Sequence, residues 1–128
     1  MWHANSFYDL NLPEKQQKFL RLFLSNLSTL QNIDRVILFG SCARGTINSN
    51  SDVDLFVITK KEPTIDEEVY IMAECPPDYE SDFYLQTDII IKPKFQYNNY
   101  IGEAGMVQKY VETEGVDITG LLQKCSRQ

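Results

Sequence analysis

The chain has 128 residues, 43% of them hydrophobic and 23% charged, the balance of a soluble globular protein with one real core and little room for a second. Its formal net charge of -6 argues against tight, nonspecific binding of a nucleic-acid backbone, which needs clustered Lys and Arg. Cys42, Cys75 and Cys125 are scattered and odd in number, with neither a disulfide framework nor C-x-x-C metal spacing, as expected in a reducing cytosol. The N-terminus, MWHANSFYDL, lacks a basic segment followed by an apolar run, and the longest apolar patch, Phe19 to Leu24, is broken by Arg21 and far too short to span a bilayer. The expectation is a single cytoplasmic domain over residues 1–128, with a loose lead-in at 1–12 and a tail at 116–128.

Asn11 as a cap and Pro13 in the first turn predict a helix start. Leu20, Phe23, Leu24, Leu27 and Leu30 then recur at helical spacing, so the helix runs over roughly 13–31. Phe19 and Leu22 widen its apolar face, which is expected to pack on a sheet. Val36 to Phe39 reads as the first strand, followed by a Gly-Ser turn and a short helical turn over 41–45. Asn48, Asn50 and Ser51 form a polar loop before a second strand, 52–59.

Thr64 and Glu67 fit a capping box, opening a helix with Val69, Ile71 and Met72 on its apolar side, which stops before Pro76-Pro77. Asp78 to Asp82 reads as an exposed loop. Phe83 to Ile91 is expected as the third strand, ended by Pro93. A last helix over about 98–113, capped by Asn98, stops at Gly115, and the tail from Asp117 adds a short helical turn. Tyr97, Tyr100 and Tyr110 are expected to pack that last helix, with base stacking by one of them as the alternative.

The chemistry concentrates in Gly40 to Leu55, GSCARGTINSNSDVDL. Asp52 and Asp54 open the second strand, where side chains at i and i+2 share a face about 6.6–6.8 Å apart. That spacing lets both carboxylates converge on divalent cations between them. The Gly-Ser turn offers backbone N–H groups and a hydroxyl to phosphate oxygens, and Gly40 permits close backbone approach. A phosphate cradle beside paired carboxylates is what magnesium-dependent chemistry on a nucleotide requires.

Asp88, inside the apolar run Thr87 to Ile91, is costly there unless charge or hydrogen bonds compensate. A bland account puts it at a sheet edge or on backbone amides. Beside Asp52 and Asp54 it becomes a third metal ligand and a base. Asp-x-Asp alone is a weak signal and Gly-Ser a weaker one. The ordered set of strand, Gly-Ser, a ten-residue gap, Asp-x-Asp opening a strand, and Asp in a third strand is far more specific.

Other polar groups say less. Arg44 either touches a phosphate or ties down its loop. Lys60, Lys61, Lys92 and Lys94 follow strands, where they are solvated strand-end charges or steer a triphosphate. His3 is the one histidine and lies in the lead-in, so Ser-His and Cys-His mechanisms have no support.

With Gly40-Ser41, Ala43-Arg44-Gly45, Ser51-Asp52-Val53-Asp54-Leu55 and Asp88 in Thr87-Asp88-Ile89-Ile90, the sequence resembles the minimal nucleotidyltransferases of the DNA polymerase β superfamily. The resemblance covers roughly residues 15–115. It implies an α/β (α+β) fold, a small mixed sheet backed by helices. By the same resemblance Asp52 and Asp54 would bind two Mg2+ ions and Asp88 would complete the site near the acceptor. Ser41 and the Gly40 backbone would hold the outer phosphates of a nucleoside triphosphate. Cys42 fills a variable position of the motif.

Members of this group are commonly encoded beside a helical HEPN-domain ribonuclease toxin. The resemblance therefore implies an antitoxin that transfers AMP from ATP to a tyrosine hydroxyl of that toxin. Two alternatives stand beside it: a binding module that neutralises its partner by occlusion, and a small-molecule nucleotidyltransferase of the aminoglycoside-modifying kind. The intact Asp52, Asp54 and Asp88 set argues against the first, and the short C-terminal region leaves little to hold the acceptor of the second.

Overall fold

The structure is a computed structural model that describes residues 1–44, 48, 50–100 and 107–125. Five strands form one mixed sheet in the order β1-β5-β2-β3-β4: β1 is Trp2–His3, β2 Ile33–Phe39, β3 Val53–Thr59, β4 Thr87–Pro93 and β5 Val116–Asp117. β2 lies antiparallel to both β3 and β5, whereas β3 with β4 and β1 with β5 run parallel. The helices are α1 (Glu14–Leu27), α2 (Ser41–Arg44), α3 (Ile65–Val69), α4 (Lys94–Tyr100), α5 (Val107–Glu114) and α6 (Leu122–Cys125). This is the expected α/β architecture, a mixed sheet with helices on both faces. Among the described residues no helix is long and apolar enough to cross a membrane.

Alternation along the strands divides the core in two. On one face Leu38, Val53, Leu55 and Val57 pack with Phe19, Leu20, Phe23, Leu24 and Leu27 of α1. On the other, Ile37, Phe56 and Ile58 pack with Tyr97 of α4 and Val111 of α5. The α1 side chains named are all fully buried, as the helical spacing required, but Leu22 is 40% exposed and lies outside that face. Tyr97 stands edge-on to Phe56 at 5.2 Å and its hydroxyl donates to Glu112, which confirms its packing role. The side chains of Tyr100 and Tyr110 lie outside the described residues.

Several boundaries differ from the sequence expectations for identifiable reasons. The lead-in is not loose: Trp2–His3 pairs with Val116–Asp117, and Phe7–Leu10 forms a 3-10 turn with Phe7 buried. Two-residue strands joined across the whole chain have no period to read. The tail likewise holds β5, a 3-10 turn at Thr119–Leu121 and α6. Pro13, not Asn11, is the cap of α1; Asn11 ends the preceding turn with φ +50°.

The third strand begins four residues later than expected. Ser81 Oγ accepts from Phe83 N–H at 2.9 Å, and Tyr84 N–H donates to Ser81 O, so a turn takes the backbone groups that a strand would need. Pro93 is tolerated within β4 because β4 is the edge of the sheet. The expected last helix starts earlier, at Lys94, so Asn98 lies inside α4 rather than capping it; α5 covers Val107–Glu114, and residues 101–106 lie outside the described residues.

The Thr64–Glu67 capping box forms as expected. Beyond it α3 passes into a π-helical turn at Tyr70–Glu74, which buries Ile71 but leaves Val69 and Met72 more than half exposed. Of the three residues expected on its apolar side only Ile71 is buried, and Tyr70 packs against the core beside it.

Candidate active site at the head of strands β3 and β4

β2 ends at Phe39, which pairs with Asp54, and Asp54 pairs in parallel register with Asp88. Paired residues on neighbouring strands face the same way about 4.8 Å apart. Asp54 alternates with Phe56, so both carboxylates lie on the Tyr97 face of the sheet, at its end. Asp54 is half-buried and Asp88 exposed. Two acids side by side at a strand end repel one another, and cations placed at that edge relieve the repulsion.

Gly40 follows Phe39 with φ +74°, a conformation that costs an L side chain roughly 1–2 kcal/mol. A Cβ built on Gly40 would overlap Asp54 Oδ2 and stand 3.1 Å from its Cγ. The missing side chain is the room in which the Asp54 carboxylate sits. Gly40 O then accepts from Ala43 N–H at 3.1 Å, opening α2 with half-buried Ser41 at its start.

Asp52 stands one residue ahead of β3 and is exposed. Two other bonds hold the backbone on either side of it: Gln16 Nε2 donates to Ser51 O at 3.1 Å, and Cys42 Sγ donates to Asp52 O at 3.4 Å. The next residue enters the sheet, with Val53 N–H on Gln86 O at 3.0 Å. Thr87 Oγ1 also donates to Val53 O at 2.6 Å, tying the head of β4 to that of β3. Cys42 senses the acids. Burial, then the charges of Asp54 and Asp52, push its thiol up to about 12.

The structure thus brings Gly40, Ser41, Asp52, Asp54 and Asp88 to one edge. The Arg44 side chain and Gly45 lie outside the described residues. The strand-end lysines do not belong to this edge. Lys60 and Lys61 follow the last residue of a seven-residue strand, roughly 20 Å from its head. Lys92 pairs alongside Ile58 near the same far end, and Lys94 lies 3.9 Å from Asp34. A triphosphate at Asp52 is out of their reach. Gln16 and the tight fit of Asp54 against Gly40 escaped sequence reasoning, because both depend on contacts between distant segments.

The carboxylate oxygens at this edge suit a hard cation such as Mg2+, which is commonly held by one or two acids together with substrate phosphates. Among the described residues, no group of three or more His, Cys, Asp and Glu side chains is placed to hold a metal ion.

The profile of the nucleotidyltransferase domain family matches residues 20–116. The chain belongs to that family. The nucleotidyltransferase is 37% identical over 78 residues to a Methanocaldococcus jannaschii protein named a "putative protein adenylyltransferase", an alignment covering 59% of this chain and 74% of the relative. It also aligns with the crystal structure of a Sulfolobus solfataricus protein described as a "putative nucleotidyltransferase", at 24% identity and a TM-score of 0.47, covering 67% of this chain and 77% of the other. The likeness to minimal nucleotidyltransferases drawn from the Gly-Ser and Asp-x-Asp motifs holds, and the protein is an enzyme of the nucleotidyl-transferring class acting on a nucleoside triphosphate.

Proposed function

We propose that this nucleotidyltransferase moves AMP from ATP onto a tyrosine hydroxyl of a cognate HEPN ribonuclease toxin and so acts as its antitoxin. The observation that carries the chemistry is the pairing of Asp54 with Asp88 in register, beside Asp52 and the Gly40-Ser41 turn. The name of the Methanocaldococcus relative supports AMP as the group and a protein as the acceptor.

In this reading Ser41 Oγ and the Gly40-Ser41 backbone hold the outer phosphates of the triphosphate. Asp52, Asp54 and Asp88 would hold Mg2+, two ions being expected, which supplies charge neutralisation for the phosphate oxygens. Asp88, exposed at the head of β4, is the base nearest the acceptor and takes the proton of the attacking hydroxyl. The acceptor oxygen forms a bond to the α-phosphorus as the bond to pyrophosphate breaks, and pyrophosphate leaves. Asp54, seated in the space beside Gly40, is fixed before the substrate arrives and needs no rearrangement to act.

The test is to incubate the protein with ATP, Mg2+ and a HEPN ribonuclease encoded beside it, then to map the toxin by mass spectrometry and assay its ribonuclease activity. An AMP adduct on a tyrosine, appearing as ribonuclease activity falls, is the expected outcome. Inhibition without any adduct would instead show action by occlusion.

A further inference from the structure

Gln16 is fully buried in the first turn of α1, an unusual place for a carboxamide. Its Nε2 donates to Asn48 O at 2.9 Å and to Ser51 O at 3.1 Å, reaching across from a helix more than thirty residues earlier. Its Oε1 is buried with no hydrogen-bond partner among the described residues. A buried acceptor left unpaired is costly, and its retention calls for a reason outside stability.

The reason lies in what the two carbonyls belong to. Asn48 and Ser51 close a tight turn: Ser51 N–H donates to Asn48 O, Asn48 N–H to Ser51 Oγ and Asn50 N–H to Asn48 Oδ1. Ser51 C=O lies in the planar peptide that carries the Asp52 N–H. Fixing that carbonyl therefore fixes the plane from which the Asp52 side chain departs. Asp54 needs no such help, because its strand pairs on both sides with Phe39 and Asp88. Asp52, outside the ladder, has its flanking peptides held by Gln16 on one side and Cys42 on the other.

We propose that Gln16 is a positioning residue that sets Asp52 against Asp54 through the Ser51–Asp52 peptide. This rests on the reading of Asp52 as a metal ligand. Removing the clamp leaves all three carboxylates in place yet loosens one of them, so divalent-ion affinity and turnover fall while the fold survives. Gln16→Met keeps the length of the side chain, deletes both donors and also deletes the unpaired oxygen, so its cost in stability is partly offset.

The experiment compares wild type, Gln16→Met and Asp52→Asn by thermal melting, by kcat and KM for ATP, and by Mn2+ titration. The titration is followed through paramagnetic broadening of the Asp52 and Asp54 amide signals without nucleotide. For Gln16→Met the expected result is a cooperative melt, a Mn2+ midpoint weakened by about 10- to 100-fold, and a fall in kcat larger than any change in KM. A lowered melting temperature with wild-type Mn2+ midpoint and kcat would mean a purely structural role and overturn the inference.

Should Gln16→Met not fold, the wild-type side-chain amide of Gln16 decides instead. It is expected to be protected from exchange and to shift when Mg2+ and ATP are added; an unshifted, rapidly exchanging amide overturns the inference. Asp52→Asn separates the two levels. If it keeps the wild-type Mn2+ midpoint, the metal-ligand reading of Asp52 fails and takes this inference with it. If it loses Mn2+ while Gln16→Met does not, the positioning role alone fails.

Discussion

The carboxylate of Asp54 occupies the space that a side chain on Gly40 would fill. Two segments fourteen residues apart thereby define each other: the turn needs its glycine for φ +74° and for the acid beside it. Gly40→Ala should lower stability by roughly 1–2 kcal/mol from the backbone alone. It should cut transfer further than that loss explains, because Asp54 must move aside. Chemical denaturation and transfer rates, measured on the same preparation at a temperature where the variant is folded, check both parts.

In the proposed reaction Asp88 is the base, a role that comes at some cost to the fold without metal. It sits in register with Asp54, and like charges directly opposite destabilise a sheet pair, by a few tenths of a kcal/mol at an exposed site. Asp88→Asn should therefore melt at or slightly above the wild-type temperature without metal. Added Mg2+ with ATP should raise the melting point of wild type more than that of the variant. An Asp88→Asn protein clearly less stable than wild type in EDTA would contradict this account of the edge.

Thr64 and Glu67 supply a pH prediction. Thr64 N–H donates to Glu67 Oε1 at 2.9 Å, and Asn32 Nδ2 donates to the same oxygen at 3.2 Å. The Thr64 backbone bond, ahead of the opposing effect of burial, lowers the Glu67 pKa from its ordinary value. A carboxylate lowered on folding contributes stability above its unfolded pKa, and that contribution is lost as pH falls through the folded one. The Glu67 midpoint, followed by NMR, should lie below that of an ordinary glutamate and stay below it in Thr64→Ala, which keeps the backbone donor and removes only the smaller contribution of the hydroxyl. Loss of the cap itself should cost about 1 kcal/mol.

Cys75 should behave as a core residue. It is fully buried, and desolvation, with Glu74 second, pushes its thiol up to about 12. At pH 8 a thiol reagent should leave Cys75 unmodified in the native protein and modify it on unfolding, as read by peptide mass spectrometry. Rapid native labelling would show that the segment after the π-helical turn opens readily.

The two sides of α3 and its π-helical continuation should respond differently to substitution. Ile71 is fully buried, whereas Val69 and Met72 are 56% and 55% exposed. Ile71→Ala should cost about 2–5 kcal/mol, and Val69→Ser or Met72→Gln should stay within about 0.5 kcal/mol. Denaturant midpoints decide this, and equal losses would place Val69 and Met72 in the core after all.

What could be read from the residues alone follows from how local each signal is. The bodies of β3 and β4, with Asp54 and Asp88 in them, were legible because Val53–Thr59 and Thr87–Ile91 are largely apolar runs carrying one acid each. The face of α1 was legible because Leu20, Phe23, Leu24 and Leu27 repeat at helical spacing. Trp2–His3 and Val116–Asp117 were not, since each is two residues long and exists only by pairing with the other end of the chain. The apolar side of α3 and its π-helical continuation was only partly legible, since Val69 and Met72 lie at the surface and Ile71 is buried. Ser81 took backbone bonds that the pattern had assigned to a strand. At the site, the residue types were visible but not what holds them, because Gln16 acts on Ser51 through a single long-range contact.

The most direct test of the central claim, that the edge formed by Gly40, Asp52, Asp54 and Asp88 transfers a nucleotidyl group, uses ATP labelled at either the α- or the γ-phosphate. Each is incubated with Mg2+, the acceptor protein, and either wild type or a folded Asp54→Asn variant. The account predicts that the α label becomes covalently attached to the acceptor with wild type alone, and that the γ label never does, leaving as pyrophosphate. Attachment of the γ label, or undiminished α labelling by Asp54→Asn, would contradict it.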